Sequence, residues 1–147
     1  MNLFGVMQIS ASALGAERLR AEVVAGNMAN AESTRTPEGG PYRRKQVVFE
    51  SAAPKFQLAL GGASGGAGTA GLSGVHVREV VADATPPVMR YEPGHPDANA
   101  EGFVAYPAIN PVVEMTDLMG AMRSYQMNAA AINTSKQMIQ QSIDLLK

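Results

Sequence analysis

Residues Glu114–Lys147, "EMTDLMGAMRSYQMNAAAINTSKQMIQQSIDLLK", decide the fold. Met115, Leu118, Met122, Tyr125, Ala129, Ile132, Lys136, Ile139, Ile143 and Leu146 step by three and four without a slip, and Lys136 alone breaks the apolar rule. Such steps keep side chains on one side of an α-helix. Pro111 suits the first turn, where its missing N–H does no harm. The pattern predicts one helix over 111–147, roughly 55 Å long at ~1.5 Å per residue. Its regularity is that of a coiled coil.

A stripe of that length must be buried against something, because long amphipathic helices are not stable alone. The other end of the chain supplies the partner. From Asn2 to Asn30 only Gly5, Gly15 and Gly26 weaken a helix, and Leu3, Met7, Leu14, Ala21, Val24, Met28 and Ala31 recur at helical spacing. Pairing the two helices leaves flanks of Met119, Ala121, Met127, Ala130, Ala131 and Met138, where a finished surface would carry Lys and Glu. More helices are therefore expected to pack there. Each buried Leu, Ile or Met contributes about 1.5–3 kcal/mol, against roughly 1–2 kcal/mol of backbone entropy for every residue ordered. Two helices capture only part of that gain, so the ends are expected to be weakly ordered in a monomer and firmly set in an assembly. The competing expectation is a closed helical hairpin capped by the middle of the chain.

That middle has a different character. All nine prolines and eleven of the fifteen glycines lie between Thr36 and Pro111. Short β-favouring runs occur at Tyr42–Phe49, Val75–Val81, Val88–Tyr91 and Phe103–Tyr106. "GGASGGAGTAGLSG" (Gly61–Gly74) reads as a flexible loop tip, since no Lys-Ser/Thr follows its glycines and no helix opens behind it. Three segments result: an N-terminal helix and turn (1–35), a β-rich segment (36–110) and a C-terminal helix (111–147). The fold class expected is α+β, with long terminal helices paired as a coiled-coil-like hairpin and a small Gly/Pro-rich β segment between them.

Asn27, Ala29 and Asn30 stand at the first joint, and they are expected to end the helix because Asn tolerates the left-handed conformation. Beyond them Arg43, Arg44 and Lys45 are flanked by Glu38 and Glu50, which predicts a solvated strand edge.

Composition excludes several functions. A net charge of −1 over 147 residues argues against nucleic-acid binding, which needs a basic excess. The chain has no cysteine, which removes disulfides, thiolate catalysis and cysteine–metal sites. No run approaches the roughly 18 apolar residues of a membrane span, so lipid insertion is not expected. Leu3–Ile9 and Ala11-Ser12-Ala13 imitate a signal peptide, but no Lys or Arg precedes Arg18, so cleavage is not expected. His95 and Asp97 sit among Pro93, Gly94 and Pro96, with His76 far away, which makes a metal or acid–base pair a poor reading. Asn133-Thr134-Ser135 fits a glycosylation sequon but lies mid-helix. No cofactor is expected.

"ASALGAERLRAEVVAGNMANAEST" (11–34) followed by "GGPYRRKQVVFE" (39–50) resembles the N-terminal signature of the bacterial flagellar rod and hook proteins. Ala11, Ser12, Leu14 and Arg18 match it, as do Asn27, Ala29 and Asn30. At the other end Arg123, Ser124, Tyr125, Gln126 and Asn128 match the family's Arg-x-Tyr-Gln-x-Asn core. "YEPGHPDANAEGFVAYPAINPVVEM" (91–115) resembles proximal-rod subunits in particular. Gly26 departs from the family, which often has Asn or Ser there, and 61–74 resembles a variable insertion.

The resemblance implies a non-enzymatic building block of the flagellar basal body. It implies export, unfolded and uncleaved, through the flagellar type III apparatus, and polymerisation in the periplasm into a hollow tube. There the terminal helices of neighbouring copies form an inner cylinder, with the β part outside. The tube carries torque and leaves a channel for later subunits. The implied partners are further copies, other rod proteins and the export-gate adaptor at the base. Leu14, Ala21, Val24 and Met28, with the apolar members of the C-terminal stripe, are the expected subunit interface. Arg123 and Gln126 are expected to bridge to a neighbouring helix. The alternative function is a helical adaptor or export chaperone that clasps a secretion-system partner; a hydrolase around His95 and Asp97 is a distant third.

Overall fold

Among the residues that the computed structural model describes, 3–52 and 74–145, there are two helices and four strands. Helix α1 spans Leu3–Ala29, strands β1 (Lys45–Ser51), β2 (Val75–Ala82), β3 (Val88–Tyr91) and β4 (Phe103–Tyr106) follow, and α2 spans Pro111–Asp144. The α+β arrangement is as expected: long terminal helices pair as a hairpin and the strands lie between them in sequence. The 61–74 tract up to Ser73, and Leu146, fall outside the described residues.

Local chemistry sets the ends of α2. The Asn110 side chain accepts a hydrogen bond from the Val112 N–H at 3.0 Å, and Pro111 takes the first turn. The end of α1 corrects an expectation. The helix does stop at Ala29, but no described non-glycine residue adopts a positive φ. Asn30 instead folds back, its backbone N–H and its side-chain amide both donating to the Gly26 carbonyl at 3.1 and 2.9 Å. The Gly26 carbonyl thereby takes a side-chain donor beside its helical backbone one, with no left-handed residue.

β1 and β2 pair antiparallel from Lys45↔Ala82 to Ser51↔Val75, with an irregularity between Val48 and Phe49. A two-stranded hairpin is marginal alone, and this one lies along α1. Ser12 pins it: its Oγ accepts from the Val75 N–H at 3.1 Å and donates to the Ile9 carbonyl at 2.7 Å. A Cβ on Gly74 would stand 2.6 Å from that oxygen, so only glycine allows the approach. β3 and β4 form a second antiparallel pair, Val88↔Tyr106 to Tyr91↔Phe103. Val104 and Tyr106 turn inward from it.

The helix pairing holds the main surprise. α2 turns only part of its regular stripe towards α1. Its buried residues are Glu114, Ala121 and Ser135, with Asp117, Leu118, Ser124, Asn128 and Ala131 half-buried beside them. α1 contributes buried Ser10, Ala16, Val24 and Asn27. Small side chains let two helices lie close, since the side chains at the contact set the distance between axes. Of the stripe, Leu118, Ala129, Ile132 and Ile139 are half-buried, whereas Met115, Met122, Tyr125 and Ile143 are 43–55% exposed.

Candidate assembly interface

A buried polar knot fastens three elements where α1 ends, β1 begins and α2 begins. Asn27 is wholly buried one turn from the end of α1. Its Nδ2 donates to the Lys45 carbonyl at 2.8 Å and to Glu114 Oε2 at 2.9 Å. Its Oδ1 accepts from the Lys45 N–H at 2.9 Å and from the Tyr42 hydroxyl at 3.2 Å. A carboxamide offers two donors and two acceptor sites, and here all four are used. Glu114, also wholly buried, places its other oxygen 2.5 Å from Arg44 Nε. Arg44 extends to Asp117 at 3.4 Å, and Asp117 lies 3.7 Å from Arg20. Burial, and then the Glu114 charge, push the Tyr42 hydroxyl above its ordinary pKa, so it stays protonated and donates.

The basic triplet is therefore not simply a solvated edge. Arg43 and Lys45 are exposed, but Arg44 and Tyr42 point the other way, into the knot. Extended backbone alternates its side chains, and that alternation was the available clue. Glu114 had a clue too, as an acid at the third residue after Pro111 with apolar neighbours on both sides.

A second clasp joins the loop after β3 to the joint after α1. Asp97 accepts from Thr34 Oγ1 at 2.8 Å and pairs with Arg35. The Thr34 hydrogen bond, then the Arg35 charge, hold its carboxyl below the ordinary range. His95 Nδ1 accepts from the Asp97 N–H at 3.1 Å, so His95 and Asp97 serve to shape this loop. The described residues hold no group of three or more potential metal ligands, and no described helix is long and apolar enough to cross a membrane.

Outside the knot and clasp, α2 presents unburied apolar surface. Met115, Met119, Met122 and Met127 are 53–61% exposed, and Val112, Val113, Tyr125, Met138, Ile143 and Leu145 are exposed with them. Between the helices an open groove of about 360 Å³ runs past Glu17, Ala21, Ala121, Met122 and Tyr125. Of the α1 residues expected at an interface, Val24 is buried and Leu14, Ala21 and Met28 are half-buried. In the C-terminal motif Arg123, Tyr125 and Gln126 are exposed, while Asn128 donates to the Ser124 carbonyl at 2.9 Å within the helix. Ala29 is exposed, and Asn30 is half-buried.

The chain is similar along its whole length to proteins called flagellar basal-body rod protein FlgC. It is 40% identical over 151 residues to that of Bacillus subtilis (strain 168), covering 100% of both chains. It is 42% identical over 146 residues to that of Escherichia coli O157:H7, covering 99% of this chain and 98% of the other. With that of Borreliella burgdorferi the identity is 34% over 158 residues, covering 100% and 99%. Residues 100–145 match the family described as flagellar basal body rod FlgEFG protein C-terminal.

Proposed function

The chain belongs to the FlgC family of flagellar basal-body rod proteins, and from that premise we propose that it polymerises through its terminal helices into a hollow shaft of the proximal rod. It is a structural subunit of the rod, not an enzyme, and it assembles with other rod proteins. One observation carries the polymerisation: after α1 and α2 have paired, the side of α2 bearing Met115, Met122 and Tyr125 is still open to solvent. Soluble monomers rarely leave a long apolar face uncovered, and a contact between unlike faces of identical chains, repeated without closing, builds a helical filament.

Residues 1–35 and 111–147 form the inner layer in this reading, and 36–110 face outward. The interface takes Met115, Met122, Tyr125 and Ile143 directly, with Leu14, Ala21, Leu118, Ala129, Ile132 and Ile139 at its margin. Arg123 and Gln126, both exposed, bridge to the adjacent copy. The shaft spans the periplasm, carries torque outward and leaves a channel for later subunits. The subunit reaches it unfolded through the flagellar type III apparatus, and its first contact at the base is the export-gate adaptor. A chain without cysteine suits that route, since it cannot form stray disulfides in transit.

The test replaces two exposed residues. Tyr125→Glu with Ile143→Glu leaves the helix content of the purified chain unchanged by circular dichroism. Isolated basal bodies from cells carrying the pair lack the subunit, and the cells do not swim. Intact basal bodies and normal swimming would overturn the proposal. A helical adaptor would instead purify as a discrete complex with its terminal helices already protected.

A further inference from the structure

Five of the nine methionines lie on α2, and all five are exposed. Met115, Met119 and Met122 are spaced by four and three, which puts them on one side of the helix. Each is more than half exposed, whereas Met7 and Met28 on α1 are half-buried. The thioether is the most readily oxidised group in a chain without cysteine, and exposure governs its rate. A Met-rich face is also the kind of surface that oxidation spoils, because the apolar, flexible side chain becomes polar.

We propose that Met115, Met119 and Met122 form an oxidation-sensitive site, at which a peroxide converts the unassembled subunit to a form that cannot enter the rod. The proposal rests on polymerisation through α2. In each event a sulfur lone pair attacks one oxygen of hydrogen peroxide and forms the S–O bond. The O–O bond breaks, the second oxygen leaves as hydroxide, and the proton left over makes it water. Sulfur loses two electrons and the peroxide gains them. The new sulfoxide oxygen keeps its hydration, and burying it against an apolar partner leaves it without a hydrogen bond. Assembly covers the three sulfurs, so only the free subunit is vulnerable. A methionine sulfoxide reductase is the class of enzyme that restores it.

Two measurements test this. The purified chain is treated with hydrogen peroxide and each methionine is followed by peptide mass spectrometry. Met115, Met119 and Met122 are expected to oxidise at least about fivefold faster than Met28, in line with their exposure; equal rates overturn the proposal. In cells, Met115→Gln, Met119→Gln and Met122→Gln together mimic the polar product, and the three Leu replacements keep the face apolar. The Gln variant is expected in isolated basal bodies at a tenth of the Leu variant's amount or less, and peroxide is expected to lower the wild-type amount while leaving the Leu variant's own amount unchanged. Normal entry of the Gln variant overturns the proposal. If the Tyr125→Glu, Ile143→Glu pair also enters normally, polymerisation through α2 falls with it; if that pair is excluded, only the oxidation site falls.

Discussion

Asn27 shows how much one residue can hold. Asn27→Ala strips the Lys45 N–H, the Lys45 carbonyl, the Tyr42 hydroxyl and one Glu114 oxygen of their partner at once. Each buried group left unsatisfied costs about 1–3 kcal/mol, so urea unfolding is expected to show a loss of about 3 kcal/mol or more. Arg44→Met leaves the buried Glu114 carboxylate without its cation, which costs about 3 kcal/mol, and adding Glu114→Leu should recover part of it, because an apolar pair can replace a buried ion pair but leaves one Asn27 N–H without its acceptor. A double variant no better than Arg44→Met would mean the pair is not the source of the loss. Asp97 makes a prediction in pH. Its folded pKa is lowered, so its contribution is complete above the ordinary aspartate range and is lost as pH falls through the lowered value. The gap in urea midpoint between wild type and Asp97→Asn is therefore constant near neutrality and closes in acid. The sequence marked Asn27 and Asn30 as a helix end. It hid the mechanism, because the four partners of Asn27 are brought together only by tertiary structure.

At the scale of elements, α2 separates what periodicity reveals from what it conceals. The steps of three and four fixed its existence, its length and its start at Pro111. They did not fix the side that packs. Hydrophobic periodicity weights large apolar residues, whereas the seam with α1 uses Ala121, Ser124 and Ser135 and is keyed by Glu114. Close approach of two helices favours small side chains, and a polar group buried there is tolerable only when fully bonded. The two sides should respond oppositely to substitution. Ala121→Leu, at a fully buried site, overpacks the seam and costs about 1–3 kcal/mol in monomer stability. Met122→Ala, beside it but exposed, should change monomer stability by less than about 0.5 kcal/mol, yet weaken entry into the rod. Equal effects of the two on unfolding would mean that the Met side is already packed within the monomer. The strands were legible because alternation, turn residues and proline bound them; their attachment to α1 through Ser12 and Gly74 was not, since close backbone approach has no signature at that distance in sequence.

For the whole molecule, the distribution of burial sets where order should fail first. Buried residues on α1 reach no closer to the N-terminus than Ser10, and those on α2 go no further than Ser135. The polar knot lies at the opposite end of the helix pair, where Asn27 meets Glu114. The hairpin is thus fastened at its base and progressively uncovered towards its tip. Local opening is easiest where few apolar contacts must be broken. Amide exchange in the purified chain is therefore expected to be slow around 24–27 and 114–121, faster along α2 past Ser135, and fastest in its last two turns. Polymerisation should invert the picture, because the uncovered tip and the Met side of α2 are what a neighbouring copy would bury. Protection is then expected to rise most, by tenfold or more (about 1.4 kcal/mol per decade), over 136–144 and least around the knot. Slow exchange along the whole of α2 in the monomer would instead describe a finished hairpin, with no ordering left for assembly to supply.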